Sequence, residues 1–268
     1  MLIFLPLFSY ARGYAYIWEI FFNLIQEIAS HVPYMVNIGN HEYDHTSGGQ
    51  NDPSQAPGDG FHPTWGNYGD DSNGECSVPV YYRFSTPSNG HGVYWYSFDF
   101  GNVHILMMST EHDYTPGSEQ YNWILSDLSS VDRQRTPFIL FGGHRPMYDS
   151  EAYVGDWEVS LGIRQSLEDL LYQYKVDVAM WGHYHSYQRT CPVYKGECNE
   201  NGTVHIVVGT AGASLDNANL YVSRPWSDAY ISDFGYCRVS TTRNSLSVQF
   251  IHNDSGSIGD EVVITAKF

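Results

Sequence analysis

Apolar residues recur along this chain at two periods, and each switch between them marks an element. Ile17, Ile20, Phe21, Leu24, Ile25 and Ile28 fall at three- and four-residue spacing and predict a helix over 16–31. Tyr121, Ile124, Leu125 and Leu128 predict a second over 119–129. Ile163, Leu167, Leu170, Leu171 and Tyr174 predict a third over 161–174. Short apolar runs at 34–38, 80–84, 93–100, 102–109, 137–142 and 176–182 predict strands, with Phe100-Gly101-Asn102 as a hairpin turn. Beyond residue 200 the pattern is β only, at 204–208, 235–240, 245–251 and 261–266; Leu246, Val248 and Phe250 alternate cleanly. Residues 43–79, rich in Gly, Asp, Asn, Ser and Pro, interrupt the pattern as one long surface loop, a feature usually functional or mobile. No internal repeat or interdomain linker is visible, and the sum is a layered α/β chain with sheets inside and helices outside.

Three predicted strands end in a glycine–histidine motif. Val36-Asn37-Ile38 leads into Gly39-Asn40-His41-Glu42, Phe138-Ile139-Leu140-Phe141 into Gly142-Gly143-His144-Arg145, and Val178-Ala179-Met180-Trp181 into Gly182-His183-Tyr184-His185. Strand ends are where α/β folds place their chemistry, and glycine lets the backbone turn sharply there. Neutral imidazoles are good transition-metal ligands, so His144, His183 and His185 are candidates. His183 and His185 lie two apart, and at a strand exit they can splay towards two neighbouring ions. Asn40 offers an amide oxygen, suited to a harder or borderline divalent ion. Adjacent residues rarely bind one ion, so His41 is better placed to face a substrate as proton donor or charge stabiliser. The other histidines lack such context and read as structural or surface groups, although His45 and His62 of the long loop could approach a substrate.

With 268 residues the chain can bury a full core. Its formal charge of −17 argues against nucleic acid and against an anionic membrane surface as partners, and no stretch is long enough to span a bilayer. The same charge opposes an anionic substrate unless bound cations offset it locally. The apolar opening, Met1 to Phe8, is short, follows no basic residue and lacks a small-residue cleavage site, so it reads as a buried strand rather than a signal peptide. None of the four cysteines has metal-ligand spacing. Cys191 and Cys198 flank a short loop with Lys195-Gly196 and could close a disulfide, and Cys76 and Cys237 could form another. Asn201-Gly202-Thr203 and Asn253-Asp254-Ser255 are glycosylation sequons, which lean towards a secreted or luminal protein.

Five segments together resemble the purple acid phosphatases of the calcineurin-like metallophosphoesterase superfamily. They are Ser9-Tyr10-Ala11-Arg12-Gly13, Gly39-Asn40-His41-Glu42, Met108-Ser109-Thr110-Glu111, Gly142-Gly143-His144-Arg145-Pro146-Met147-Tyr148 and Gly182-His183-Tyr184-His185-Ser186-Tyr187-Gln188-Arg189. The resemblance covers nearly the whole chain and looks most like the larger plant- or protist-type enzymes, in which a β-sandwich domain precedes the catalytic one. It implies a sandwich of two mixed β-sheets flanked by helices, here one catalytic domain over 1–268 lacking its leading strands and the preceding β-sandwich domain. It implies Tyr10 and His185 on a first metal, iron, and Asn40, His144 and His183 on a second, iron, zinc or manganese. His41 would assist at the phosphate and the leaving group. The implied reaction is hydrolysis of small-molecule phosphomonoesters at acid pH, in which two cations neutralise the phosphoryl oxygens and an acid protonates the departing alcohol. Secretion is implied as well.

The chain departs from that pattern in its carboxylates. The aspartate that bridges the family's two metals would stand at Leu7, which follows Pro6 where the family has glycine; the family's first aspartate would precede residue 1. Two cations ~3.5 Å apart repel strongly without such a bridge. The expectation is a weak or lost first metal, a single ion at Asn40, His144 and His183, and impaired hydrolysis. A catalytically inactive metal-binding or regulatory homologue, or a truncated gene product, is the alternative. Ala152-Tyr153 stands about where some family members carry phosphate-contacting histidines.

Overall fold

The computed structural model of the protein describes residues 2–3, 10–47, 51–55 and 61–267, so Pro6 and Leu7 lie outside the described residues. Strand β1 (Leu2–Ile3), helix α1 (Ala15–Ala29) and strand β2 (Tyr34–Met35) come first, and β1 pairs in parallel with β2. A strand therefore forms where the apolar opening predicts one. After the long loop come helix α2 (Val78–Arg83), strands β3 (Tyr96–Phe100) and β4 (Val103–Met107), helix α3 (Glu119–Ser130), β5 (Phe138–Gly143), helix α4 (Val154–Gln173) and β6 (Val178–Trp181). Strands β7 (Tyr187–Tyr194), β8 (Glu197–Cys198), β9 (Thr203–Val208), β10 (Ser227–Ile231), β11 (Gly235–Thr241), β12 (Ser245–His252) and β13 (Ile258–Thr265) follow.

One eight-stranded mixed sheet runs in the order β10-β7-β9-β6-β5-β4-β3, with β8 on β7; its centre, β9-β6-β5-β4, is parallel. Its central strands β4, β5 and β6 are buried on both faces, which a sheet covered on both sides requires. Successive side chains point to opposite faces. Ile139, Phe141, Ala179 and Trp181 therefore pack with Ile163, Leu167 and Leu171 of α4. Phe138, Leu140, Val178 and Met180 pack on the other face against Leu246, Val248 and Phe250 of the three-stranded sheet β11-β12-β13. The expected sandwich flanked by helices is thus present, and its smaller sheet is antiparallel.

Differences from expectation have local causes. The strand predicted at 80–84 is the short helix α2, because Pro79 in the first turn donates no hydrogen bond and its fixed φ suits a helix start. Helix α4 begins seven residues before the periodic stretch. Strands β7 and β10 escape the periodicity because polar residues such as Gln188, Arg189, Ser227 and Asp228 dominate them. The Cys191–Cys198 disulfide is present, with Cα atoms 5.7 Å apart. Cys76 and Cys237 are free, Cys76 being buried with Trp18, Val36 and Tyr94 and Cys237 packing between the two sheets.

Buried polar contacts fasten the long loop down. His45 donates from Nδ1 to the Phe61 carbonyl at 2.7 Å, and its Nε2 lies 2.9 Å from Glu111. His112 bridges Ser109 Oγ (2.8 Å) to Asp52 (2.9 Å), and the Tyr43 hydroxyl donates to Asp52 at 3.0 Å. The idea that His45 approaches a substrate is therefore corrected: a buried carboxylate already claims it. His62 is exposed and does not line the candidate cavity.

Candidate metal centre

Strands β5 and β6 are adjacent and parallel, with Gly143 beside Trp181, so the residues leaving them emerge together. The His144 and His183 rings lie 5.0 Å apart. Asn40 and His41 arrive on one turn of 3-10 helix, Asn40–Glu42, whose start is fixed by the Gly39 N–H donating to Glu42 at 3.0 Å. A Cβ on Gly39 would lie 2.9 Å from His144 Cγ and Nδ1, so only glycine lets this turn reach the imidazole. His183 has φ +72°, left-handed backbone that costs a non-glycine residue energy and reverses the chain at the strand exit. The reversal separates the two histidines of the third motif: His183 turns to His144 and His185 turns to Tyr10.

Three atoms converge on one side. His144 Nε2 is 2.7 Å from Asn40 Oδ1 and 3.1 Å from His183 Nδ1. The neighbours of each fix which atom faces inward. Asn40 donates its amide N–H to Asp71 at 2.8 Å, which leaves Oδ1 towards His144. His183 Nε2 lies 2.8 Å from Asp156, which keeps a proton on that nitrogen. Burial, then the neighbouring His183 ring, holds the His144 pKa well below the usual imidazole value, so this ring is neutral. One proton cannot bridge both contacts, and whichever contact lacks it sets two lone pairs together. An amide oxygen and two imidazole nitrogens sharing too few protons form a donor set that fits a divalent cation. Among the described residues no group of three or more His, Cys, Asp or Glu side chains is arranged as a metal site, so the amide is integral to this candidate.

The other side is self-satisfied. The Tyr10 hydroxyl lies 2.8 Å from His185 Nε2, and His185 Nδ1 meets the Ser214 carbonyl at 2.6 Å. Burial, with the Glu42 carboxylate adding to it, pushes the Tyr10 phenol up to about 12, so it keeps its proton at neutral and acid pH. A neutral phenol hydrogen-bonded to an imidazole is a poor substitute for a phenolate ligand.

Between the two sides lies a cavity of ≈ 160 Å³ lined by Tyr10, Asn40, His41, His183, His185, Tyr153, Tyr184, Asp156 and Asp216. Burial and the Arg12 charge push His41 down to about 4. Four contributors had no role in the motif reading, although Arg12 lies within the first motif. Asp71 orients Asn40, Asp156 orients His183, Asp216 accepts the His185 backbone N–H at 2.6 Å, and Arg12 contacts His41. Their common trait is a carboxylate or guanidinium in an unpatterned loop or at a helix start, which no periodicity marks. Asp156 in turn leans on Arg145, 3.8 Å away, which is fully buried and paired with Glu111.

Comparison with known proteins matches residues 10–187 to the calcineurin-like phosphoesterase family and 202–261 to the iron/zinc purple acid phosphatase-like C-terminal family. The chain belongs to the calcineurin-like phosphoesterases, on their purple acid phosphatase branch. Among its relatives is the protein named probable inactive purple acid phosphatase 9 of Arabidopsis thaliana, 37% identical over 97% of this chain and 42% of that protein. A nucleotide pyrophosphatase/phosphodiesterase of Hordeum vulgare is 32% identical over 95% of this chain and 69% of that protein. The structure of a purple acid phosphatase from yellow lupin (Lupinus luteus) seeds superposes with a TM-score of 0.83 at 36% identity, covering 97% of this chain and 45% of that one. The chain thus spans under half the length of several relatives it matches.

Proposed function

We propose that this chain is a purple acid phosphatase-type phosphomonoester hydrolase domain that holds one divalent ion, iron, zinc or manganese, at Asn40 Oδ1, His144 Nε2 and His183 Nδ1, with impaired turnover. The convergence of three donor atoms with too few protons between them carries the reading. An ion held there would supply Lewis-acid polarisation of a phosphoryl oxygen. Asp71 and Asp156 hold the amide and the imidazole facing inward, as outer partners of metal ligands do. His41, on the cavity wall, offers a hydrogen bond to a phosphoryl or leaving-group oxygen. Tyr10 and His185 bind a first iron weakly at best, because their hydrogen bond must break and the phenol must lose its proton. Small phosphate esters suit the cavity's size. The exposed Asn201 and Asn253, together with the disulfide, support a secreted or luminal glycoprotein.

A catalytically inactive metal-binding relative is the second reading, supported by relatives named probable inactive purple acid phosphatases. Metal analysis with a chromogenic phosphate ester assay at pH 5 separates the two. One ion per chain with turnover supports the first reading, and one ion without turnover the second. His144→Ala should abolish ion binding, whereas His41→Ala should retain the ion and lose turnover. Unchanged metal content in His144→Ala would remove the assignment.

A further inference from the structure

We propose that Arg12 is a positioning residue that holds His41 in a single tautomer, with the ring proton on Nε2. Arg12 Nη2 lies 2.9 Å and Nε 3.3 Å from His41 Nδ1, while Nη2 is 3.5 Å from His41 Nε2. A guanidinium carries donors and no acceptor, so the nitrogen that takes two of its N–H groups must present a lone pair. That nitrogen is Nδ1, and the ring's one proton is left on Nε2.

The local chain is built to hold this arrangement. Tyr10, Arg12 and Gly13 all take left-handed backbone, with φ +49°, +48° and +85°. The Arg12 carbonyl is tied to Asn73 Nδ2 at 3.1 Å, and a Cβ on Gly13 would lie 2.9 Å from that same nitrogen. The tight turn brings the Arg12 guanidinium 5.7 Å from the Tyr10 ring centre, on which the His41 ring also packs at 4.4 Å. Arginine and imidazole therefore both pack against one phenol, the imidazole tilted 38° to it. That packing restrains the His41 ring, and Arg12 fixes which nitrogen carries hydrogen. This deepens the reading that the cavity takes a phosphate ester, and it rests on that reading for its functional meaning. The His41 ring also hydrogen-bonds the Asp71 backbone, so His41 would turn its Nε2–H from Asp71 to an ester oxygen, with the Arg12 charge beside it to favour an anion.

The tautomer is measurable without metal, substrate or turnover. Protein labelled with ¹⁵N-histidine is examined by long-range ¹H–¹⁵N correlation at pH 7, with the His41 signals assigned by their loss in His41→Ala. The expected result in the unaltered chain is a protonated Nε2 and the large downfield shift of an unprotonated nitrogen on Nδ1. Arg12→Met, at an exposed position and of similar length, should lose that distinction and average the two shifts; Arg12→Lys should restore it in part. A protonated Nδ1 in the unaltered chain, or an Arg12→Met spectrum identical to it, overturns the proposal. Should the spectra behave as expected while no phosphate ester is turned over, the hydrolase reading fails and the positioning role of Arg12 stands.

Discussion

Replacing Arg145 with methionine should cost far more stability than replacing any surface arginine, and the structure sets the scale. Arg145 and Glu111 are both fully buried, with Nε 3.0 Å and 3.1 Å from the two carboxylate oxygens. Arg145 Nη1 donates to Asn67 Oδ1 at 2.6 Å, and its guanidinium lies 4.6 Å from the Tyr68 ring centre. Without the guanidinium, Glu111 keeps His45 and Thr110, among the described residues, as neighbours that can donate to it. Removing one partner of a buried pair costs about 3–5 kcal/mol, because the remaining charge has lost both water and counter-ion. Against a whole-domain stability of roughly 5–15 kcal/mol this is a large fraction. Arg83→Met is the control, since its partner Glu19 is 67% exposed and such pairs contribute about 0–1 kcal/mol. Urea unfolding is the suitable assay, as urea is uncharged and does not screen the pair. The double variant Arg145→Met/Glu111→Gln should recover more than about 1.5 kcal/mol of the loss, since it removes the stranded charge. A cost for Arg145→Met no greater than that for Arg83→Met would refute the reasoning.

Other expectations follow from the same geometry. Gly39→Ala forces a few tenths of an ångström of movement between the Asn40 turn and the His144 ring, at about 1–3 kcal/mol; its affinity for zinc, read by calorimetric titration, should fall. Burial pushes Glu151 up to about 7, against the lowering hydrogen bond from Ser186 and with Asp216 and Asp149 adding to the rise. Its folded value lies above its unfolded one, so the folded state holds the extra proton between about pH 4.5 and 7, and this contribution to stability is lost as pH rises through that window. Glu151→Gln should flatten the fall in unfolding free energy over that range, and an unchanged slope would discount the shift. Cutting the Cys191–Cys198 disulfide with a Cys191→Ser/Cys198→Ser pair opens only a short loop, so the loss should be about 2.5 kcal/mol by loop-closure entropy, measured by urea unfolding.

The sequence by itself determined the layering of this protein and the identity of its candidate ligands. Helices α1 and α3 sit where their apolar spacing places them, and the both-faces apolar runs of β4, β5 and β6 could only be central strands, because one buried face would have left alternate positions polar. Glycine marked the strand exits, and at Gly39 and Gly143 a neighbouring ring approaches too closely for a Cβ. Tertiary structure decided what each ligand faces. That His183 and His185 part company depends on one left-handed residue, and local spacing does not encode the sign of φ. The roles of Asp71, Asp156, Arg145 and Arg12 come from contacts between residues 27 to 34 positions apart, for example 31 between Asn40 and Asp71. Such partners are chosen by the packing of whole elements, and a carboxylate in a loop reads alike whether it meets water or a buried imidazole.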